Sequence, residues 1–387
     1  MIDRIINFPA RLSFFLFGAR QTGKSTVINQ RFKEHVWEVN LLQNEVYLLY
    51  LKEPHLFRIE AERKILQEGV ETIFLDEVQR IPPLLNEIQT LMFNYPRCRF
   101  IITGSSARKL KRGRANLLAG RAVEQFLFPL ITDEMAPRFE LEETLLFGSL
   151  PSVFGREEGE KRALLKTYIH TYLQEEIKSE ALSRNISGFS RFLDIAAAQF
   201  GEQVNFSSIA RDSSLSVHTI QSYYEILEDT LIGLRLMPWR KSVRKRLSLQ
   251  PKFYLFDLGV TNALLRRLEA SPDPLLKGRL FEQFILLEIH RRLSYKGSEA
   301  SLFFWRTSNG SEVDLLIERH GKIQAAIEIK LTPRVSSTHL SGLRSFRREH
   351  TNTPLFLVST TPNAYTLDGV NVIPWQEFLS RELPSLL

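Results

Sequence analysis

Leu12-Ser-Phe-Phe-Leu-Phe17-Gly18-Ala-Arg-Gln-Thr-Gly23-Lys24-Ser25-Thr26 is an apolar run that breaks into a glycine-bounded loop and then into a Lys-Ser pair. The apolar run reads as a buried strand, and the residues after Lys24 read as the start of a helix. From Gly18 to Ser25 the spacing is G-x-x-x-x-G-K-[ST], and its place between a strand and a helix is the context that this motif requires. The glycines let the backbone turn tightly, so that successive N–H groups converge on phosphate oxygens beside the positive end of the following helix. Lys24 is then expected to reach the β- and γ-phosphates, and the Ser25 hydroxyl to ligate Mg²⁺. A chain of this length offers on the order of 0.01 chance matches at average residue frequencies. The competing reading is a glycine-rich turn with no ligand. Gly18, Ala19, Arg20, Gln21, Thr22, Gly23, Lys24, Ser25 and Thr26 are therefore the candidate nucleotide-binding residues, with ATP and Mg²⁺ as the expected ligands.

Working outward, Thr72-Ile-Phe-Leu-Asp76-Glu77 is a second apolar strand that ends in two carboxylates. Asp76 is placed to hold Mg²⁺ through water, and Glu77, one residue on and pointing differently, to orient and deprotonate an attacking water. A third strand, Arg99-Phe-Ile-Ile-Thr103, runs into Gly104, Ser105 and Ser106. Thr103 and Ser105 are both candidates for the polar residue that senses a γ-phosphate. Arg121, in LLAGR, is a candidate arginine finger, with a plain surface arginine at a helix end as its rival reading. Residues 11–150 alternate short apolar runs with helical stretches, the pattern of a parallel sheet wrapped by helices. The expected strands are Leu12–Phe17, His35–Asn40, Thr72–Asp76, Arg99–Thr103 and Glu124–Leu127.

The bulk composition fits this α/β reading. Hydrophobic residues make up 43% and charged residues 25% of 387 residues, the balance of a globular protein with two or three domains. Cys98 is the single cysteine, which excludes a disulfide framework and a multi-cysteine zinc site. No segment approaches the ~20 apolar residues that span a bilayer, and no export signal is legible, so the expected location is the cytoplasm. The formal net charge of +7 favours polyanionic partners. Two basic runs concentrate it: Arg108, Lys109, Lys111, Arg112 and Arg114, and then Arg240, Lys241, Arg244, Lys245 and Arg246. Either run taken alone also reads as a solvated loop.

With these residues read, the chain resembles a widespread prokaryotic family of AAA+-like ATP-binding proteins whose second half is an uncharacterised domain ending in a nuclease-like fold. The resemblance rests on GARQTGKST, FLDEVQRIP, ITGSSARKL, LLAGR, the GSLP turn at Gly148–Pro151 and the TYLQEEI helix, and it covers nearly the whole chain. It implies an AAA+-like P-loop ATPase domain over 1–150, a helical lid over 151–200, a winged helix-turn-helix over 201–265 and a restriction-endonuclease-like α/β domain over 278–387. Ser271, Pro272, Asp273 and Pro274 read as the linker before the last of these.

The residues themselves add to this. Asn205-Phe-Ser-Ser-Ile-Ala-Arg reads as a short helix, and Ser216 as the N-cap of VHTIQSYYEILED. Val217, Ile220, Tyr224 and Leu227 fall at core spacing, leaving His218, Thr219, Gln221 and Ser222 outward as recognition-helix residues would be. Arg240, Lys241, Arg244, Lys245 and Arg246 would lie in the wing, where DNA phosphates are contacted. Protein docking is the alternative use of such a fold. Near the C-terminus, Asp314 and Glu328-Ile-Lys330 match the D…E-x-K pattern of Mg²⁺-dependent nucleases, with Glu282 as a third acid. Strand periodicity sets a condition on this. A two-residue turn at His320-Gly321 pairs Asp314 with Ile327 and sends the carboxylates to opposite faces, whereas a three-residue loop pairs Asp314 with Glu328. The expected function is an ATP-driven enzyme acting on or near DNA, compatible with a homo-oligomer. Its rivals are a nucleotide-gated switch that docks a protein, with the nuclease-like domain inactive, and a small-molecule phosphotransferase.

Overall fold

The computed structural model describes residues 2–105, 118–173, 186–241 and 250–387. Strand β1 (Ser13–Phe17) is buried along its whole length. Its side chains alternate between two layers, as a strand covered on both faces must. Phe14 and Leu16 pack with Val27 and Ile28 of helix α1 (Lys24–Arg31), while Phe15 and Phe17 join the core of the opposite face. The chain then runs through β2 (Val36–Asn40), α2 (Asn44–Lys52), α3 (Pro54–Glu68), β3 (Thr72–Asp76), α4 (Leu84–Asn94), β4 (Arg99–Gly104) and β5 (Ala122–Phe126). The strands form one sheet in the order β2-β3-β4-β1-β5, every neighbour parallel. This order puts the carboxyl end of β1 between β4 and β5, with β3 one strand further, so loops leaving β1, β3 and β4 meet at one edge.

The middle of the chain is helical. Helices α5 (Thr132–Met135), α6 (Leu141–Phe147) and α7 (Glu158–Thr167) lead to α8 (Ile186–Ala198), α9 (Phe206–Ser213) and α10 (Val217–Asp229). Phe147, Leu165, Phe192, Ile209, Tyr224 and Leu227 share one core. Asn205 caps α9 and Ser216 caps α10, each accepting a backbone N–H at 3.1 Å. Ile220, Tyr224 and Leu227 are buried as expected, but Val217 is 40% exposed. It is the first residue of α10, where the helix has not yet reached the core, so the helical period over-counts the buried face by one turn.

The hairpin β6 (Gly233–Pro238) and β7 (Lys252–Leu255) does not stand apart. After α11 (Leu258–Leu264) and α12 (Pro274–Tyr295) come β8 (Ser301–Arg306), β9 (Glu312–Arg319), β10 (Lys322–Lys330), α13 (Ser341–Glu349), β11 (Leu355–Ser359), β12 (Tyr365–Leu367) and β13 (Val370–Pro374). All these strands form one eight-stranded sheet in the order β12-β13-β11-β10-β9-β8-β6-β7. The hairpin extends it through parallel pairing of β6 with β8.

Helix α12 ties the two sheets together. It spans 22 residues, about 33 Å. Leu280, Phe284 and Ile285 pack with Leu315, Ile317 and Ile327 of the C-terminal sheet. Its last turns reach the other way. Buried Arg291 donates to the carbonyls of Leu130 and Phe256, both at 2.8 Å, and Arg292 pairs with Asp133 at 2.8 Å. Tyr295 meets Arg4, whose guanidinium also donates to the Thr22 carbonyl at 2.7 Å and pairs with Glu134 at 3.0 Å. Among the described residues no helix is long and apolar enough to cross a membrane.

Candidate nucleotide site and C-terminal acidic cluster

The loop from Gly18 to Lys24 is held open from within. A side chain at Gly18 would collide with the Leu127 carbonyl at 2.4 Å, so β1 and β5 leave room there for glycine alone. Gln21 (φ 65°) and Gly23 (φ 89°) both take the left-handed conformation that turns the chain into α1. The Thr22 hydroxyl donates to the Ala19 carbonyl at 2.9 Å. Lys24 is buried, and its ammonium donates to the carbonyls of Gly18 at 2.9 Å and Ala19 at 3.3 Å. Around the loop, Ser152 donates to the Gln21 side chain at 2.8 Å and Tyr168 to the Arg20 carbonyl at 3.4 Å.

Strands β3 and β4 bring their polar ends to the same place. Ser25 Oγ donates to Asp76 Oδ2 at 2.7 Å. Thr103 Oγ1 donates to Asp76 Oδ1 and accepts the Glu77 N–H at 3.1 Å. Glu77 has a left-handed backbone (φ 64°), uncommon for a residue with a side chain, and one carboxylate oxygen lies 3.9 Å from the Lys24 ammonium. Of the two candidate sensors, Thr103 meets the Asp76 carboxylate and the Glu77 backbone directly, whereas Ser105 is linked to the Glu77 carboxylate through Gln79. The Gln79 amide donates to Glu77 Oε2 and, at 3.0 Å, to Ser105 Oγ. Gln79 and Arg4 are site-shaping residues that sequence reasoning passed over. Gln79 lies in the quoted FLDEVQRIP stretch, two residues after Glu77, whereas Arg4 has no local signal. Arg121 is exposed on the turn into β5, away from these contacts.

The C-terminal acids also converge, by a route that the turn alone does not disclose. His320 (φ 51°) and Gly321 (φ 74°) form a two-residue turn, pairing Arg319 with Lys322. A bulge between Ile323 and Ala325 then shifts the register by one, so that Leu315 faces Ile327. Continued one step, the ladder sets Asp314 against Glu328. The expectation that convergence requires a three-residue loop is thus corrected: the turn has two residues, and the bulge supplies the extra one. Lys330 joins the acids, at 2.7 Å from Glu328 and 3.5 Å from Asp314. Asp314 Oδ2 also accepts the Ile329 N–H at 2.8 Å.

Glu282, on α12, meets a different cation. Lys252 of β7 places its ammonium 3.1 Å from Glu282 and 2.6 Å from Glu312, and Tyr254 donates to Glu282 at 2.6 Å. Arg306 is a second partner of Glu312, at 3.0 Å. Burial and the Asp314 charge push Glu328 up to about 8, against the pull of Lys330. Burial likewise raises Glu282 above the usual carboxylate range, with Lys252 opposing it. Among the described residues no group of three or more His, Cys, Asp and Glu side chains stands ready to hold a metal ion. The residue types of a nuclease site are gathered, but every one of these carboxylates is already paired with a lysine or arginine.

Next to Arg306 a groove of about 740 Å³ is lined by Trp239, Arg240, Lys241, Trp305, Arg306 and His350. Arg240 donates to the Arg306 carbonyl at 2.7 Å, and Trp239 meets His350 edge-on at 5.0 Å between ring centres. On α10, His218 and Gln221 are exposed. Arg244, Lys245 and Arg246 lie outside the described residues, as do Ser106, the run from Arg108 to Arg114 and the end of the TYLQEEI segment.

Comparison with known proteins divides the chain into three, with β6 and β7 matched apart from the rest of the sheet that they extend. Residues 11–136 match a family described as AAA domain, residues 138–271 a domain of unknown function (DUF8612), and residues 277–378 another (DUF4143). An uncharacterized protein of Mycobacterium tuberculosis is 28% identical over 338 residues, covering 85% of this chain and 73% of the relative. An uncharacterized protein of Haemophilus influenzae is 22% identical over 340 residues, covering 81% and 82%. The replication initiator DnaA bound to AMPPCP and single-stranded DNA overlaps 56% of this chain and 82% of its own, with a TM-score of 0.28 and 13% identity. The AAA domain match and the parallel sheet make the N-terminal region a P-loop NTPase core, of a kind that generally binds ATP with Mg²⁺.

Proposed function

We propose that the chain hydrolyses ATP at the P-loop and uses the resulting conformational change on DNA. The observation that carries the first half is the meeting of Lys24, Ser25, Asp76, Glu77 and Thr103 at one sheet edge. Lys24 is already desolvated, and its carbonyl partners are weak competitors for a phosphate, so an incoming triphosphate finds a cation waiting. Ser25 and Asp76 form an all-oxygen donor pair that suits Mg²⁺, which neutralises phosphate charge when bound. Glu77 takes the proton of the attacking water, and its left-handed backbone points the carboxylate away from Asp76 toward Lys24. Thr103 links both acids and serves as the sensor, with Ser105 behind Gln79. Arg121, exposed near β5, suits a finger acting on a neighbouring copy of the chain.

DNA is proposed as the second partner because aromatic and basic side chains share the groove of Trp239, Arg240, Lys241, Arg306 and His350. Such surfaces combine phosphate attraction with base stacking. Arg244, Lys245 and Arg246 extend the same basic run in sequence. The C-terminal region is read as a nuclease-like unit built around Glu282, Asp314, Glu328 and Lys330. Its acids do not fit a metal as they stand, so no cleavage step is assigned to it. That pairing favours a second reading, a nucleotide-gated switch that docks a protein while the nuclease-like unit stays inactive. Steady-state phosphate release with and without DNA separates the two. Several-fold stimulation by DNA supports the first, and a rate indifferent to DNA overturns it in favour of the second.

A further inference from the structure

Arg4 stands ahead of β1, before the phosphate-binding motif begins, yet its side chain ends against the P-loop. It is buried, and its planar fork of donors is spent on partners from separate parts of the chain. Nε donates to Glu134 Oε1 at 3.0 Å and Nη1 to the Thr22 carbonyl at 2.7 Å. Nη2 donates to the Phe128 carbonyl at 2.6 Å and to the Tyr295 hydroxyl at 3.0 Å. Glu134 is itself fixed, because its oxygens accept the N–H groups of Ile5 at 2.9 Å and Ile131 at 3.1 Å. A buried ion pair holds a fold together no better than the apolar packing it displaces, so stability alone does not account for an arginine here.

The bond to Thr22 bears on the chemistry of the loop. The Thr22–Gly23 peptide is trans, so its carbonyl and the Gly23 N–H point in opposite directions across one plane. With the carbonyl drawn to Arg4, that N–H is turned away from it. Gly23 leads directly into Lys24 and α1, at the helix end where N–H groups gather on an anion. The other arm of the fork leads away from the nucleotide. Tyr295 is the last residue of α12, and its hydroxyl also accepts the Phe128 N–H at 3.2 Å. Thr132 donates its N–H to Glu288 at 3.1 Å, and Arg292 pairs with Asp133, so α5, which carries Glu134, is bound to the same end of α12. One guanidinium joins the P-loop to the helix that packs on the C-terminal sheet.

We propose that Arg4 is a positioning residue for ATP: it sets the Gly23 N–H toward the bound phosphate, and through Tyr295 it makes the end of α12 respond when the loop is filled. Such coupling is reciprocal, so an event that shifts α12 alters ATP affinity by the same factor. The proposal rests on the reading of residues 18–25 as the ATP site.

The test combines titration of the full chain with a fluorescent ATP analogue and hydrogen–deuterium exchange with and without a non-hydrolysable one. Arg4→Lys keeps the charge that faces Glu134 but loses the fork, and is expected to weaken binding by the folded chain about tenfold. In the unaltered chain the nucleotide is expected to slow exchange in the last turns of α12 severalfold. Tyr295→Phe keeps the ring beside Phe128, and is expected to bind nucleotide nearly as well while losing that slowing. An arginine that merely holds the fold would lower the thermal midpoint and leave both readouts unmoved. Undiminished affinity in Arg4→Lys overturns the positioning role, and slowing that persists in Tyr295→Phe overturns the link to α12. An unaltered chain that binds no nucleotide overturns the ATP-site reading, and the proposal with it. Should Arg4→Lys fail to fold, the Gly23 amide resonance of the unaltered chain, carrying isotopically labelled glycine, decides. It is expected to shift downfield when nucleotide binds, and a resonance that stays in place overturns the positioning role.

Discussion

Lys24 and Lys252 are buried to nearly the same degree, with 6% and 5% of their side chains exposed, yet their ammonium groups keep different company. Lys24 is held by two backbone carbonyls, and its nearest acid, Glu77, stands off at 3.9 Å. Lys252 lies against two carboxylates at 2.6 and 3.1 Å. The first ammonium keeps most of its charge available to an anion that has yet to arrive, and the second has its charge already answered. A buried lysine is therefore a binding group or a filler according to its acidic neighbours, not according to its depth.

The largest expected effect tests the open side of this contrast. Lys24→Ala should weaken ATP binding on the order of 100-fold, because the phosphates lose their desolvated cation. Glu77→Gln should keep affinity and lower turnover by about 10²- to 10⁴-fold. Titration with a fluorescent nucleotide and single-turnover phosphate release measure the two separately. Lys24→Ala with undiminished affinity would remove the P-loop as the phosphate cradle.

The closed side is tested by stability. Removing one partner of a buried ion pair costs about 3–5 kcal/mol, because an uncompensated charge is left behind. Lys252→Ala should therefore lower the thermal midpoint of the nucleotide-free chain by several degrees, while Lys24→Ala leaves it nearly unchanged. Equal losses in the two variants would erase the distinction drawn from their neighbours.

Much of the open site was legible because its parts are local. Gly18 to Ser25 is one contiguous loop, and Asp76 and Glu77 end a strand, Thr72–Asp76, whose limits the apolar run gives correctly. Strand β5 runs over Ala122–Phe126 and not Glu124–Leu127, since Ala122 and Val123 pair with Ser13 and Phe14 where no local signal shows it. The closed cluster was legible only in its acids. Turn length alone gave the wrong condition for convergence because a bulge near Gln324 has no firm sequence signature. Lys252 could not be found at all, since its partners lie 30 and 60 positions away and only the pairing of β6 with β8 brings β7 to them.

A smaller effect is expected at Gln79, which separates holding the base from being the base. Its amide ties Glu77 to Ser105. Gln79→Ala should lower kcat about tenfold while leaving KM within about threefold, since Glu77 keeps its chemistry but loses its orientation. An unchanged kcat would mean that the left-handed backbone of Glu77 orients the carboxylate unaided.

The last expected effect concerns the joint between the two centres. His290 sits on α12 with its ring edge-on to Phe128, 5.3 Å between centres, and burial beside Arg291 pushes its pKa down to about 4. An unfolded histidine titrates near 6.5. The unfolded chain therefore takes up a proton below about pH 6.5 that the folded chain refuses until about pH 4. The stability contributed by neutral His290 is complete above pH 6.5 and is lost as pH falls through that window. One proton limits the slope to about 1.4 kcal/mol per pH unit. His290→Phe keeps an aromatic ring against Phe128 and removes the titration, so its thermal midpoint should fall less steeply between pH 6.5 and 4 than that of the unaltered chain. Parallel curves for the two chains would assign the acid sensitivity elsewhere, and the end of α12 that carries Arg291, Arg292 and Tyr295 to the nucleotide core would then hold its grip independently of His290.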